Sequence, residues 1–278
     1  MSEKSNKSKS GLNSAHLKML AIVCMFIDHI GAFLLDYNHA LYPVCRSIGR
    51  LAFPIFCWLI VEGAIHTRSI AKYAGRLAIF ALISTPPYNL VHGDAWYSLK
   101  QLNVFFTLLF GLLAIASIRK LAPIIFRSLN KRKLSESKLA CILCGLPCCI
   151  ALYFAAYALN TDYGGYGVAT IVLFYLLREN QPAAWISFAL FTFISYDFAF
   201  ANQYEYVQMN LYDLIQHSIW QGGYNLQFVN ARQAFAPLAF IPIAFYNGQK
   251  GNSAAKYFFY AFYPLHLMLI WVIQLLIK

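Results

Sequence analysis

Five ionisable side chains stand in or beside stretches otherwise apolar enough to cross a bilayer. Asp28 and His29 interrupt residues 17–35, Glu62 and His66 lie at the end of residues 51–65, and His266 sits within residues 257–277. Charge at such depth is costly in hydrocarbon, so these groups are expected to face a protein-lined cavity and to work there. An imidazole that gains and returns a proton near neutrality suits general-base or nucleophilic chemistry.

Depth sharpens the expectation. His29 lies eleven residues beyond Lys18 and His266 ten beyond Lys256, which is roughly 16 and 15 Å along a helix rising about 1.5 Å per residue. Both imidazoles therefore reach the middle of a core about 30 Å thick, at one level. Asp28 and His29 are adjacent, so on a helix their side chains diverge by about 100° and do not pair with each other by default. Arg46 and Arg50 share a helical face by their four-residue spacing, as do Glu62 and His66. Two arginines together on a sparsely basic side point to an anion or a carboxylate partner.

Other motifs are less specific. The tandem Pro86-Pro87 removes two backbone donors and is expected to end or break its helix, with Thr85, Asn89 and Asn103 lining a polar cavity there. Tyr163-Gly-Gly-Tyr-Gly167, beside Asp162, reads as a tight turn and matches no phosphate-loop pattern. Cys141, Cys144, Cys148 and Cys149 have the spacing of a packed helix face, and no metal site is expected from them.

The elements that must hold these groups are membrane helices. The chain is 60% hydrophobic and only 12% charged, with a mean hydropathy of +0.54, too little polar residue to coat soluble domains. Apolar runs predict an all-α, polytopic bundle of about nine spans: 17–35, 48–66, 73–91, 102–121, 139–159, 165–178, 183–200, 229–247 and 257–277. With the N-terminus inside, 17 of the 22 Lys and Arg fall on the cytoplasmic side, a strong positive-inside bias. The formal charge of +11 is thus a topology signal, and nucleic acid is not an expected partner. Residues 1–16 read as a flexible cytoplasmic head and 17–278 as one transmembrane domain. The basic segment 119–138 reads as a cytoplasmic loop and 201–228 as an outer cap.

The sequence resembles the TraX family, membrane proteins associated with N-terminal acetylation of conjugative pilin subunits. The matching blocks include Ile27-Asp28-His29-Ile30-Gly31, Ile48-Gly-Arg-Leu-Ala-Phe-Pro-Ile-Phe56, Val61-Glu-Gly63 with His66-Thr-Arg68, Pro86-Pro-Tyr-Asn-Leu90, Leu102-Asn103-Val104, Asp162 through Val168, and Phe262-Tyr-Pro-Leu-His266. They run in order along the whole chain. The resemblance implies an integral inner-membrane acetyltransferase of Gram-negative bacteria, surrounded by lipid, that uses acetyl-CoA as donor; it does not fix the acceptor, which is expected to be a pilin-like protein, with a saccharide or another amine as the alternative.

Set on these residues, the implied chemistry is acyl transfer. His29, Asp28 and His266 are the catalytic candidates: His29 as general base or transient acyl carrier, Asp28 orienting an imidazole. Arg50, Glu62, Asn89 and Asn103 are the substrate-binding candidates, with Arg50 or Asn103 stabilising a developing oxyanion. Arg68, Lys72 and Arg76 are expected to dock the CoA phosphates. A proton-coupled transporter using Asp28, Glu62 and the histidines, or a non-enzymatic pilin chaperone, are the rival classes; a transporter often carries internal repeats, and none is apparent.

Overall fold

A computed structural model describes residues 11–128, 137–195, 232–251 and 256–277. Most of the expected head, Lys131, Arg132 and Lys133 of the basic segment, and the expected outer cap 201–228 lie outside the described residues.

The fold is an all-helical bundle. In chain order the elements are α1 (Ser14–Leu34), α2 (Leu41–Gly49), α3 (Ala52–His66), α4 (Ile70–Val91), α5 (Val104–Ser128), α6 (Lys138–Ala158), α7 (Gly164–Leu177), α8 (Gln181–Phe193), a 3-10 segment (Arg232–Ala239) running into α9 (Phe240–Ala244), and α10 (Lys256–Ile277). Among the described residues, five helical stretches are long and apolar enough to span a membrane: Ser14–Leu34, Leu41–His66, Val104–Ile125, Lys138–Ala158 and Tyr257–Ile277. Large apolar side chains such as Leu143, Ile150, Leu269 and Leu276 remain exposed on them, as expected of helices solvated by acyl chains.

The core lies around α3, the most deeply enclosed element, whose Phe53, Ile55, Trp58 and Val61 are all but inaccessible. Helices α1, α5, α7 and the 3-10 segment surround it, while α10 packs against α1 and α4. Local signals set the helix ends. Asn13 accepts from the Ala15 and His16 backbones to cap α1, Ser69 from Lys72 to cap α4, and Ser137 from Ala140 to cap α6, which satisfies backbone donors that a helix start leaves free.

Two backbone staples fasten opposite ends of the bundle. Leu12 exchanges hydrogen bonds with Phe245 and Asn247 at 2.8 Å each, and Leu102 bonds Asn160 at 3.0 Å and Asp162 at 2.8 Å. The first gathers the start of α1 with the segment before α10. The second joins the loop before α5 to the turn before α7.

Two expectations about elements change. The span anticipated at 48–66 begins earlier, as α2, and its helix breaks at Arg50–Leu51 before α3. The Pro86-Pro87 pair does not end its helix, since α4 continues through both to Val91. Neighbouring polar groups engage the backbone there: the Ala81 carbonyl accepts from Thr85 Oγ1 at 3.0 Å and from Asn103 Nδ2 at 2.8 Å, which is how a proline-bearing helix is tolerated in a membrane bundle.

Candidate functional site

The two mid-membrane histidines meet. His29 Nδ1 on α1 lies 2.6 Å from His266 Nε2 on α10, and the ring planes differ by 9° with centroids 4.9 Å apart. Parallel rings stacked face to face cannot bring two nitrogens that close, so the imidazoles join edge to edge through a hydrogen bond. The other nitrogen of His266, Nδ1, is 2.8 Å from the Phe262 carbonyl oxygen one turn earlier. His266 is buried at 4% exposure and His29 is only partly so. Phe262, Phe26 and Tyr263 pack around the pair.

Asp28 takes a different role from the one expected of it. Its carboxylate does not face an imidazole; it is held by Arg46 at 2.7 Å and Arg50 at 3.1 Å. The 100° divergence between neighbours sends His29 to α10 and Asp28 to α2. Gly49 makes this possible, because a Cβ there would overlap the Asp28 side chain. Arg50 is tied in turn to the Arg46 carbonyl at 3.1 Å and to Gln233 at 3.4 Å. The carboxylate partner anticipated for the two arginines is thus Asp28 itself.

Sequence reading missed the groups around this cluster. Asp162, read only as part of a turn, lies in electrostatic range of His92, Arg50, Asp28 and Arg46. The residue is exposed overall, while its carboxyl is enclosed by protein. That enclosure pushes its carboxyl up to about 6, against the opposing pull of His92 and the two arginines. His92, at the end of α4, donates from Nδ1 to the Tyr88 carbonyl at 2.7 Å and packs against Phe33. No local signal marked either residue, since both are brought in by helix ends distant in sequence.

At the bundle end holding the start of α1 lies a chamber of about 720 Å³. Arg68, Lys72 and Arg76, the three candidates for a phosphate-bearing donor, all line it, together with Lys18 and Lys250. Arg76 Nε is buried and has no hydrogen-bond partner among the described residues, a donor left without an acceptor inside a basic cavity. The apolar part of the wall includes Met25, Val104, Phe105 and Tyr263. Met25 stands four residues before His29 and Tyr263 three before His266, so the chamber ends about one helical turn short of the histidine pair. The Tyr263 ring is 6.2 Å from that of His29 and 5.6 Å from that of His266.

The four substrate-binding candidates do not converge. Glu62 lines the chamber and is bound by Arg178 Nε at 2.5 Å and His66 Nε2 at 3.5 Å, whereas Arg50 is on Asp28. Asn103, inaccessible to solvent, accepts from the Phe105 backbone at 3.1 Å to start α5. Asn89 donates to the Ser98 carbonyl at 3.0 Å. The cysteine row of α6 packs against α5, with Cys149 Sγ 3.7 Å from the Ala114 carbonyl.

The family described as TraX protein matches residues 13–274, and all the motif blocks quoted above fall within that range. A protein of Dichelobacter nodosus described as "Probable fimbrial assembly protein FimC, serogroup H1" is 30% identical over 267 residues, covering 91% of this chain and 92% of that protein. No solved structure matches the chain.

Proposed function

The chain belongs to the TraX protein family, and on that premise we propose that it is an acetyltransferase of the bacterial inner membrane. It moves an acetyl group from cytoplasmic acetyl-CoA to an acceptor amine, that of the N-terminus of a pilin-like protein. The observation that carries this reading is the basic chamber of about 720 Å³ whose apolar wall ends one turn short of the His29–His266 pair. The relative's description as a fimbrial assembly protein supports a pilin context.

In this reading Lys18, Arg68, Lys72, Arg76 and Lys250 meet the phosphates of CoA, and the acetyl-bearing arm extends along the apolar wall toward Tyr263. The N-terminus is cytoplasmic and the chain crosses about nine times, supported by the distribution of basic residues. The acceptor approaches from the opposite side, past Arg46, Arg50 and Asp162.

The amine nitrogen attacks the thioester carbonyl carbon and a C–N bond forms. The histidine pair takes the proton released by the nitrogen, the C–S bond breaks, and the CoA thiolate recovers that proton from the histidine pair. The enzyme ends as it began, and acetyl-amine and CoA thiol leave. Burial of the pair among aromatic rings keeps bulk water from the reacting carbonyl.

Purified full-length protein incubated with acetyl-labelled acetyl-CoA tests this directly. An apolar peptide with a free α-amine, the same peptide blocked at its amine, and an oligosaccharide are offered in parallel. Label on the free-amine peptide alone supports the reading. Label on the oligosaccharide replaces it with O-acetyl transfer, and label on none overturns the enzymatic reading in favour of transport or chaperoning.

A further inference from the structure

We propose that His29 Nε2 is the atom that accepts the acceptor's proton, and that His266 is a positioning residue that holds His29 in the Nδ1–H tautomer. This deepens the acetyltransferase reading and rests on it.

The assignment follows from counting protons along one chain of hydrogen bonds. The Phe262 carbonyl only accepts, so the proton in its 2.8 Å contact with His266 belongs to His266 Nδ1. A neutral imidazole carries one N–H, which leaves His266 Nε2 as a lone pair. The 2.6 Å contact between that atom and His29 Nδ1 needs one proton, and His29 Nδ1 must supply it. A neutral His29 is then unprotonated at Nε2. Both nitrogens of His266 are occupied and the residue is 4% exposed, so the pair's one uncommitted lone pair is Nε2 of the less buried His29.

The opposite arrangement is disfavoured by its surroundings. A doubly protonated His266 would donate to His29 and force the proton of His29 onto Nε2, leaving the pair without a base. It would also add a buried cation to a sector that already holds two guanidiniums. The groups facing His29 are His266 and Tyr263 from α10, Arg46 and Arg50 from α2, and His92 from the end of α4. Asp28, the carboxylate next to His29 in the chain, is already bound by both arginines. When Nε2 takes up the acceptor's proton, the Nδ1 proton of His29 can shift along its 2.6 Å bond to His266, spreading the charge over two rings without a carboxylate. Returning the Nε2 proton to the CoA thiolate restores the original chain.

Nitrogen-15 magnetic resonance of the full-length protein labelled in its histidine rings reads the tautomers, with His29→Asn and His266→Asn used to assign the signals. Both rings are expected as Nδ1–H; an Nε2–H signal for His29 overturns the proposal. Acetyl transfer from acetyl-CoA to the free-amine peptide is measured per folded molecule in two further variants. His266→Leu removes the acceptor for the His29 proton and is expected to slow turnover at least tenfold. His266→Gln restores a carboxamide oxygen at that place and is expected to recover at least half of the loss on a logarithmic scale. Unchanged turnover in His266→Leu, or no recovery in His266→Gln, assigns His266 to packing and overturns the proposal. If wild-type protein shows Nδ1–H tautomers but transfers no acetyl group, the failure lies in the acetyltransferase reading, and the base assignment falls with it.

Discussion

The carboxylate of Asp28 lies 2.7 Å from the guanidinium of Arg46 and rests against the backbone of Gly49. This contact joins α1 to α2 beside the histidine pair. Its side chains are only 12% and 23% exposed, so its worth falls between a surface pair, at about 0–1 kcal/mol, and a buried pair broken on one side, at about 3–5 kcal/mol. Asp28→Ala is expected to cost about 2 kcal/mol, because it strands two guanidiniums. Gly49→Ala, which leaves every charge in place, is expected to destabilise by displacing Asp28. Thermal unfolding in detergent checks both, and each should lower the midpoint by several degrees.

In the proposed function Arg68, Lys72 and Arg76 hold the donor. Replacing all three with glutamine is expected to raise KM for acetyl-CoA at least tenfold while kcat at saturation stays within a few-fold of wild type, the signature of lost ground-state binding. Initial rates over a range of acetyl-CoA check this. An unchanged KM in folded protein moves the donor out of the chamber.

His29→Ala removes the proposed acceptor of the proton. It is expected to cut acetyl transfer per folded molecule by about 10²-fold or more, as for loss of a general base, with insertion and yield largely retained. Turnover normalised to the monodisperse fraction is the measurement. Lower yield with normal turnover per folded molecule would make His29 a packing residue.

Orientation is tested by accessibility. Single cysteines placed at Lys120 and Lys138 in a cysteine-free background are expected to resist a membrane-impermeant maleimide applied from the periplasmic side, and one at Lys100 to react. The reverse pattern would put the basic chamber on the outer face, away from cytoplasmic acetyl-CoA.

Much of the site was legible because a membrane makes depth readable from sequence. A helix rises by a fixed amount per residue, so counting from Lys18 and Lys256 brought His29 and His266 to one level before any contact was known. The same logic grouped Arg68, Lys72 and Arg76 at one boundary, where they line one chamber. Azimuth was less readable. Asp28 and His29 were known to diverge, but which neighbour each would meet depended on how α1 sits against α2 and α10. That seating is set partly by small contacts such as Gly49 beneath Asp28.

The sequence by itself determined an apolar helical membrane protein of the TraX family, the level of its two central histidines and the clustering of its basic residues. These follow from hydropathy and helical rise, which act within one segment at a time. Only the tertiary structure decided that His29 faces His266, that Asp28 is occupied by Arg46 and Arg50, that Asn103 starts a helix, and that Asp162 and His92 join the sector. Each of those depends on the rotation of one helix about its axis relative to another. That rotation is fixed by packing between residues up to 241 positions apart, which no local pattern encodes.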